Sequence, residues 1–156
     1  MTTARDFFDR VREASQDAER CHRQLKAMEQ RMKSFGAQGY EPRVRSSSDP
    51  DKLGRRVASY VDRERSLETR MDEDYRIIDL GSTVIYGDGE REGLDKEQSP
   101  VWADILWWRY LADATWMRVA RAVGYSVRPC QIMHNTAMQW LDESGFMADV
   151  MDKVDL

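Results

Sequence analysis

The sequence has little of what would mark a secreted, membrane-bound or metal-organised protein. It holds two cysteines in 156 residues, Cys21 and Cys130, each set among apolar positions at helical spacing, so reduced, buried thiols are expected in place of a disulfide framework. Its longest strongly apolar run, Ile-Leu-Trp-Trp at 105–108, is far short of the roughly 20 residues a membrane span needs. Charge begins at Arg5, against a signal-peptide pattern. A cytoplasmic protein with no membrane partner is expected. An excess of positive charge is also lacking: the formal net charge is −4, so any surface for nucleic acid must be local, because phosphates require a basic face. There is no phosphate-binding loop, nucleophile elbow or dinucleotide glycine pattern. The acids Asp72, Glu73 and Asp74 are consecutive and lack the spacing that acid–base catalysis would need. Cys130 and His134 lie one helical turn apart, but the other such pair, Cys21 and His22, is distant, so no metal site is expected. The expectation is a non-enzyme without cofactor or metal.

What the chain does have is helical periodicity. With 41% hydrophobic and 33% charged residues it can bury one modest core. Phe7, Val11, Ala14, Ala18, Cys21, Leu25, Met28, Met32 and Phe35 follow steps of four and three without a fault, a heptad seam that predicts a helix over 4–35. Such a helix is about 48 Å long at 1.5 Å per residue and needs a second long helix beside it. A break at 36–49, with Gly36, Gly39, Pro42 and three serines, precedes Asp49 and Pro50 as cap and first helical residue. Leu53, Val57, Tyr60, Val61, Leu67, Met71, Tyr75 and Ile78 then share a face, interrupted once by Glu64, to about Tyr86. Residues 1–90 therefore read as a long-helix hairpin or coiled coil. Matched seams allow pairing within one chain or between chains, so a homodimer or higher oligomer is expected.

The segment 87–100, with three glycines among acids and bases, reads as an exposed connection and a domain boundary. Beyond it, Ser99 and Pro100 supply a cap and first turn, and Val101, Ile105, Trp108 and Leu111 follow at helical spacing. Thr115 caps a short helix carrying Trp116, Val119, Ala120 and Val123. Gly124, Tyr125 and Ser126 form a turn, Gly124 taking positive φ and Ser126 capping the next helix. That third helix puts Cys130, Met133, Ala137, Met138 and Leu141 inward and Val127, Arg128, Gln131, Ile132 and Asn135 outward, with Pro129 in its first turn. A short helix, a glycine-containing turn and a following helix with outward Arg, Gln and Asn is the helix-turn-helix pattern. Residues 99–145 are thus expected to bind double-stranded DNA, with Arg128, Gln131 and Asn135 reading bases and Arg118, Arg121 and His134 near phosphates. The module is neutral overall, four arginines against four acids, but Arg118, Arg121 and Arg128 flank the turn. The five tryptophans read as core. Residues 146–156 read as a short amphipathic tail.

The run from Ile105 to Leu141 resembles the C-terminal half of phage-encoded transcriptional regulators of the RinA and ArpU type, whose helix-turn-helix is similar to region four of bacterial sigma factors. The resemblance rests on Arg109 and Tyr110, on Trp116 with Val119 and Ala120, on Gly124, Tyr125 and Ser126, and on His134, Ala137, Met138 and Leu141. The charged helix beginning near Asp51 and Lys52 resembles the segment that precedes the DNA-binding part, so the likeness spans roughly 25–143. Pro129, Cys130 and Ile132 depart from the pattern, so DNA specificity does not carry over. The resemblance implies control of phage late or packaging genes, with RNA polymerase as a candidate contact of the long helices. A small-terminase-like packaging protein and a helical interaction protein that does not bind DNA are the alternatives. The expected fold class is all-α, a long helical hairpin or coiled coil followed by a three-helix helix-turn-helix module.

Overall fold

The computed structural model describes residues 2–38 and 50–154. Its elements are α1 (Ala4–Gln38), α2 (Pro50–Tyr86), α3 (Leu94–Glu97), α4 (Pro100–Leu106) continued by a π-helical turn (Trp107–Leu111), α5 (Trp116–Val123), α6 (Val127–Ser144) and α7 (Ala148–Met151). The class is all-α, and the β-pairing among the described residues is one isolated bridge between Gly87 and Glu92. No described helix is long and apolar enough to cross a membrane. The two long helices match their sequence patterns closely. α1 runs through Gly36 to Gln38, beyond the expected break, and α2 starts at Pro50. Asp49, the expected cap, and 39–49 of the expected loop lie outside the described residues.

The chain divides into two compact units, residues 17–73 and residues 1–16 with 74–156. In the first, α1 and α2 pair antiparallel within one chain. Arg70 pairs with Asp17, and Arg63 Nη2, seven residues earlier on α2, donates to Gln24 Oε1, seven later on α1, at 3.2 Å. Ala18, Cys21 and Leu67 are buried between the helices. Toward the far end the seam loses cover: Leu25 and Met28 are half-buried, while Met32, Leu53, Val57 and Val61 are exposed. They open a groove of about 890 Å³ rimmed by Arg31, Lys52, Arg55, Arg56 and Arg63.

The second unit overturns the boundary expected at 90–99. The glycine-rich segment is a closed turn: Asp88 Oδ1 accepts from the backbone N–H groups of Glu90 and Arg91, each at 3.0 Å. Leu94 is fully buried directly behind it. The segment therefore carries core, and the helix-turn-helix residues share one unit with the start of α1, up to Gln16. Phe7, Phe8 and Val11 of α1 are wholly buried with Ile77, Val84 and Ile85 of α2, Leu106, Tyr110, and Ala137, Met138 and Leu141 of α6. The described part of the expected tail, 146–154, is not separate either. Met147, Val150 and Val154 are buried in this core, and Arg91 fastens the segment by donating to both Asp149 carboxylate oxygens at 2.8 and 2.9 Å and to the Phe146 carbonyl at 2.6 Å. A smaller cluster of Ile105, Ala114, Val119, Ala120 and Cys130 fixes α4, α5 and α6 to one another.

Candidate functional site

The turn between α5 and α6 forms for the reasons its residues supply. Thr115 accepts from Arg118 N–H at 3.3 Å and so caps α5, as Ser99 accepts from Trp102 N–H to cap α4. α5 ends at Gly124, whose φ of 80° is the left-handed conformation that glycine adopts without Cβ strain. Both Gly124 and Tyr125 donate their N–H to the Ala120 carbonyl, at 3.0 and 3.2 Å, closing the helix end. Ser126 occupies the cap position of α6 with extended backbone, but its side chain caps nothing. A capping hydroxyl bonds the N–H of the second or third helical residue, and the third here is Pro129, which has none, so one of the two usual donors is missing. Met117, Arg118, Arg121, Tyr125, Arg128 and Ile132 are all exposed around this turn. The Arg118 guanidinium lies 5.7 Å from the centre of the Trp108 ring.

No Asp or Glu occurs between Asp113 and Asp142, a stretch with three arginines inside a chain of net charge −4. This local sign reversal is the main electrostatic feature of the α5–α6 surface.

The outer stripe of α6 is only partly free. Arg128 and Ile132 face solvent, whereas Gln131 is half-buried. Asn135 is tied by its carbonyl oxygen, which accepts from Arg5 Nη2 at 3.0 Å and bonds His134 Nδ1 at 3.1 Å. Bidentate reading of adenine uses both the oxygen and the nitrogen of an asparagine amide, so Asn135 can do so only by breaking both bonds. Of the three expected base readers, Arg128 alone is unencumbered.

His134, expected near phosphates, is placed inside. It is 5% exposed, on the inner stripe of α6 one turn after Cys130, and its Nε2 accepts from the Tyr110 hydroxyl at 2.6 Å. That contact leaves the proton on Nδ1, which donates to Asn135 Oδ1, so a continuous chain of hydrogen bonds runs from Tyr110 through His134 and Asn135 to Arg5. The Tyr110 ring stacks against the imidazole with centroids 5.6 Å apart, and Trp116 meets it edge-on at 5.1 Å. Burial pushes the Tyr110 hydroxyl up to about 12. Burial, with the nearby Arg5 and Arg109 charges, holds His134 below its usual 6.5, outweighing the Asn135 hydrogen bond. The unfolded chain therefore takes up this proton before the folded one does, and stability present above pH 6.5 is lost as pH falls from 6.5 toward the lower folded value. The melting-temperature advantage of wild type over His134→Gln is expected to shrink between about pH 8 and about pH 5.5, and an advantage constant over that range removes His134 from the linkage.

This polar chain borders a cleft of about 380 Å³ lined by Arg5, Asp9, Arg12, Arg109, Tyr110, Trp116, Gln131, His134 and Asn135. Arg12 is neutralised, its Nε donating to Asp113 Oδ1 at 2.6 Å. Asp113 has a φ of 54°, sparsely populated for a residue with a side chain, and is held there because Gln16 also donates to the same oxygen, at 3.2 Å. It follows a π-helical turn in which Ala112 N–H bonds the Trp107 carbonyl at 3.1 Å and Ser15 of α1 donates to the Leu111 carbonyl at 2.7 Å. Arg109 donates from Nη1 to the Ala114 carbonyl at 2.9 Å and lies 4.8 Å from the centre of the Trp116 ring. The cleft escaped the sequence reading because Arg5, Asp9 and Arg12 lie about 100 residues or more from α5 and α6; the one signal was that they sit off the α1 seam.

In comparison with known proteins, no family model matches the chain, and neither a curated protein nor a solved structure matches it.

Proposed function

We propose that the chain is a sequence-specific double-stranded-DNA-binding transcriptional regulator that acts through the α5–α6 face, in the manner its resemblance to the RinA and ArpU type of phage regulators implies. The observation that carries this reading is the acid-free stretch between Asp113 and Asp142, with Arg118, Arg121 and Arg128 around a glycine-closed two-helix turn, in an otherwise acidic chain. A local basic face attracts phosphates even on a chain of net negative charge. Arg128, in the first turn of α6, is the base-reading candidate, and Arg118 and Arg121 on α5 are the phosphate contacts.

Selection from random duplexes, followed by titration at several salt concentrations, tests this. Arg128→Ala is expected to weaken the preferred site by about 1–3 kcal/mol and flatten preference at one base pair. Arg121→Ala is expected to weaken all sequences alike and lower the salt slope by about one unit. Absence of any enriched sequence, with no affinity at about 50 mM salt, overturns the proposal. It would favour the helical interaction protein, the reading supported by Met117, 72% exposed, with Tyr125 and Ile132 also exposed on the same two helices. Self-association is proposed through the uncovered end of the α1–α2 seam, with RNA polymerase as a further candidate partner of the long helices. Light scattering distinguishes a dimer from the ring expected of a packaging protein.

A further inference from the structure

We infer that the cleft between the start of α1 and α6 is a binding site for a phosphate group. Two of its guanidiniums are fixed in direction without being neutralised. Arg5 is oriented by the Asn135 amide oxygen, and Arg109 by the Ala114 carbonyl and the Trp116 ring. Neither makes an ion pair among the described residues, in contrast to Arg12 with Asp113 and Arg91 with Asp149. An arginine held by neutral acceptors keeps its full charge and most of its five donors. The residues that line the cleft and carry donors come from different elements: Arg5 from α1, Arg109 from the π-helical turn and Gln131 from α6. Donors carried on three separate elements suit a tetrahedral group with several acceptor oxygens better than a planar carboxylate, and a cleft of about 380 Å³ has room for one. Asp9, which also lines the cleft, opposes an anion and limits its affinity. His134 stays neutral there, so Arg5 and Arg109 supply the attraction.

The phosphate can belong to a free phosphomonoester or to a DNA backbone lying beside α6, and one pair of variants separates these from a purely structural role. Arg5→Gln is expected to weaken binding at least about tenfold, and Asp9→Asn to tighten it about threefold, both with unchanged melting temperature. One arm titrates the full-length protein with glycerol phosphate up to about 10 mM by calorimetry. The other titrates a short duplex. Opposite-signed effects in the first arm assign a free phosphomonoester, and in the second alone a backbone phosphate. The cleft is overturned if glycerol phosphate fails to bind and both variants leave duplex affinity unchanged, or if both variants shift binding in the same direction. Duplex binding that depends on Arg121 but not on Arg5 or Asp9 leaves the DNA reading standing without the cleft. Glycerol phosphate binding without any duplex binding does the reverse.

Discussion

Gly93→Ala is expected to destabilise the protein by more than about 3 kcal/mol, although the residue lies in a segment whose composition reads as an exposed linker. A Cβ at this position would sit 2.4 Å from Gly87 N, 2.4 Å from the Tyr86 carbonyl carbon and 2.5 Å from the Ile85 carbonyl oxygen. All three are backbone atoms at the end of α2, so no side chain can swing aside; the turn itself must open. Opening it pulls on Leu94, which is fully buried, and on the Gly87–Glu92 bridge. The loss comes from this close approach and not from dihedral strain, since Gly93 has an ordinary φ of −92°. Gly89 is the control: its φ is 93° but a Cβ there meets nothing within 4 Å, so Gly89→Ala should lose only about 1 kcal/mol. Denaturant unfolding of the two variants checks the difference, and equal losses would return the segment to the status of a linker.

Phe8→Ala is expected to cost about 3–5 kcal/mol, the usual range for emptying a buried phenylalanine site. Phe8 is wholly buried, packs edge-on against Phe7 with centroids 5.1 Å apart, and lies 5.4 Å from Tyr110. Tyr110 in turn holds His134 of α6, so the cavity would open beneath the helix that carries the proposed DNA-binding face. The same contacts dictate that residues 99–145 expressed alone will not fold cooperatively, because Tyr110, Ala137, Met138 and Leu141 would lose α1 and α2 from the core. Far-ultraviolet circular dichroism and thermal melting of that fragment provide the check; a cooperative transition would show that α1 is dispensable to it.

Much of the secondary structure was legible because its signals are local. The steps of three and four from Phe7 onward are a property of consecutive residues, and they mark α1 without knowledge of what it packs against. Thr115 and Ser99 cap as expected because a hydroxyl three residues before a free N–H is a local geometry. Gly124 takes its positive φ for a reason contained in one residue and its two neighbours. The same local reasoning failed at Ser126, where Pro129 removes one of the two donors a cap can use, a detail also present in the sequence.

The misplaced elements are those defined by partners far along the chain. Composition made 87–100 look like a linker, yet charged, glycine-rich sequence also makes a tight turn when an Asp88 carboxylate satisfies two backbone N–H groups and Arg91 finds Asp149. Nothing near His134 in sequence reveals that Tyr110 will take its Nε2 or that Arg5 will reach Asn135, and those contacts turned an expected phosphate ligand into a buried neutral imidazole and a base reader into a positioned amide. The sequence by itself determined the long helices α1 and α2, the caps of α4 and α5 and the glycine turn between α5 and α6, since each rests on spacing within a few residues. Tertiary structure decided the division of the chain, the burial of His134 and the cleft at Arg5 and Arg109, because apolar seams state only that a face must be covered, and the choice of cover depends on shape and charge complementarity between segments about 100 residues apart.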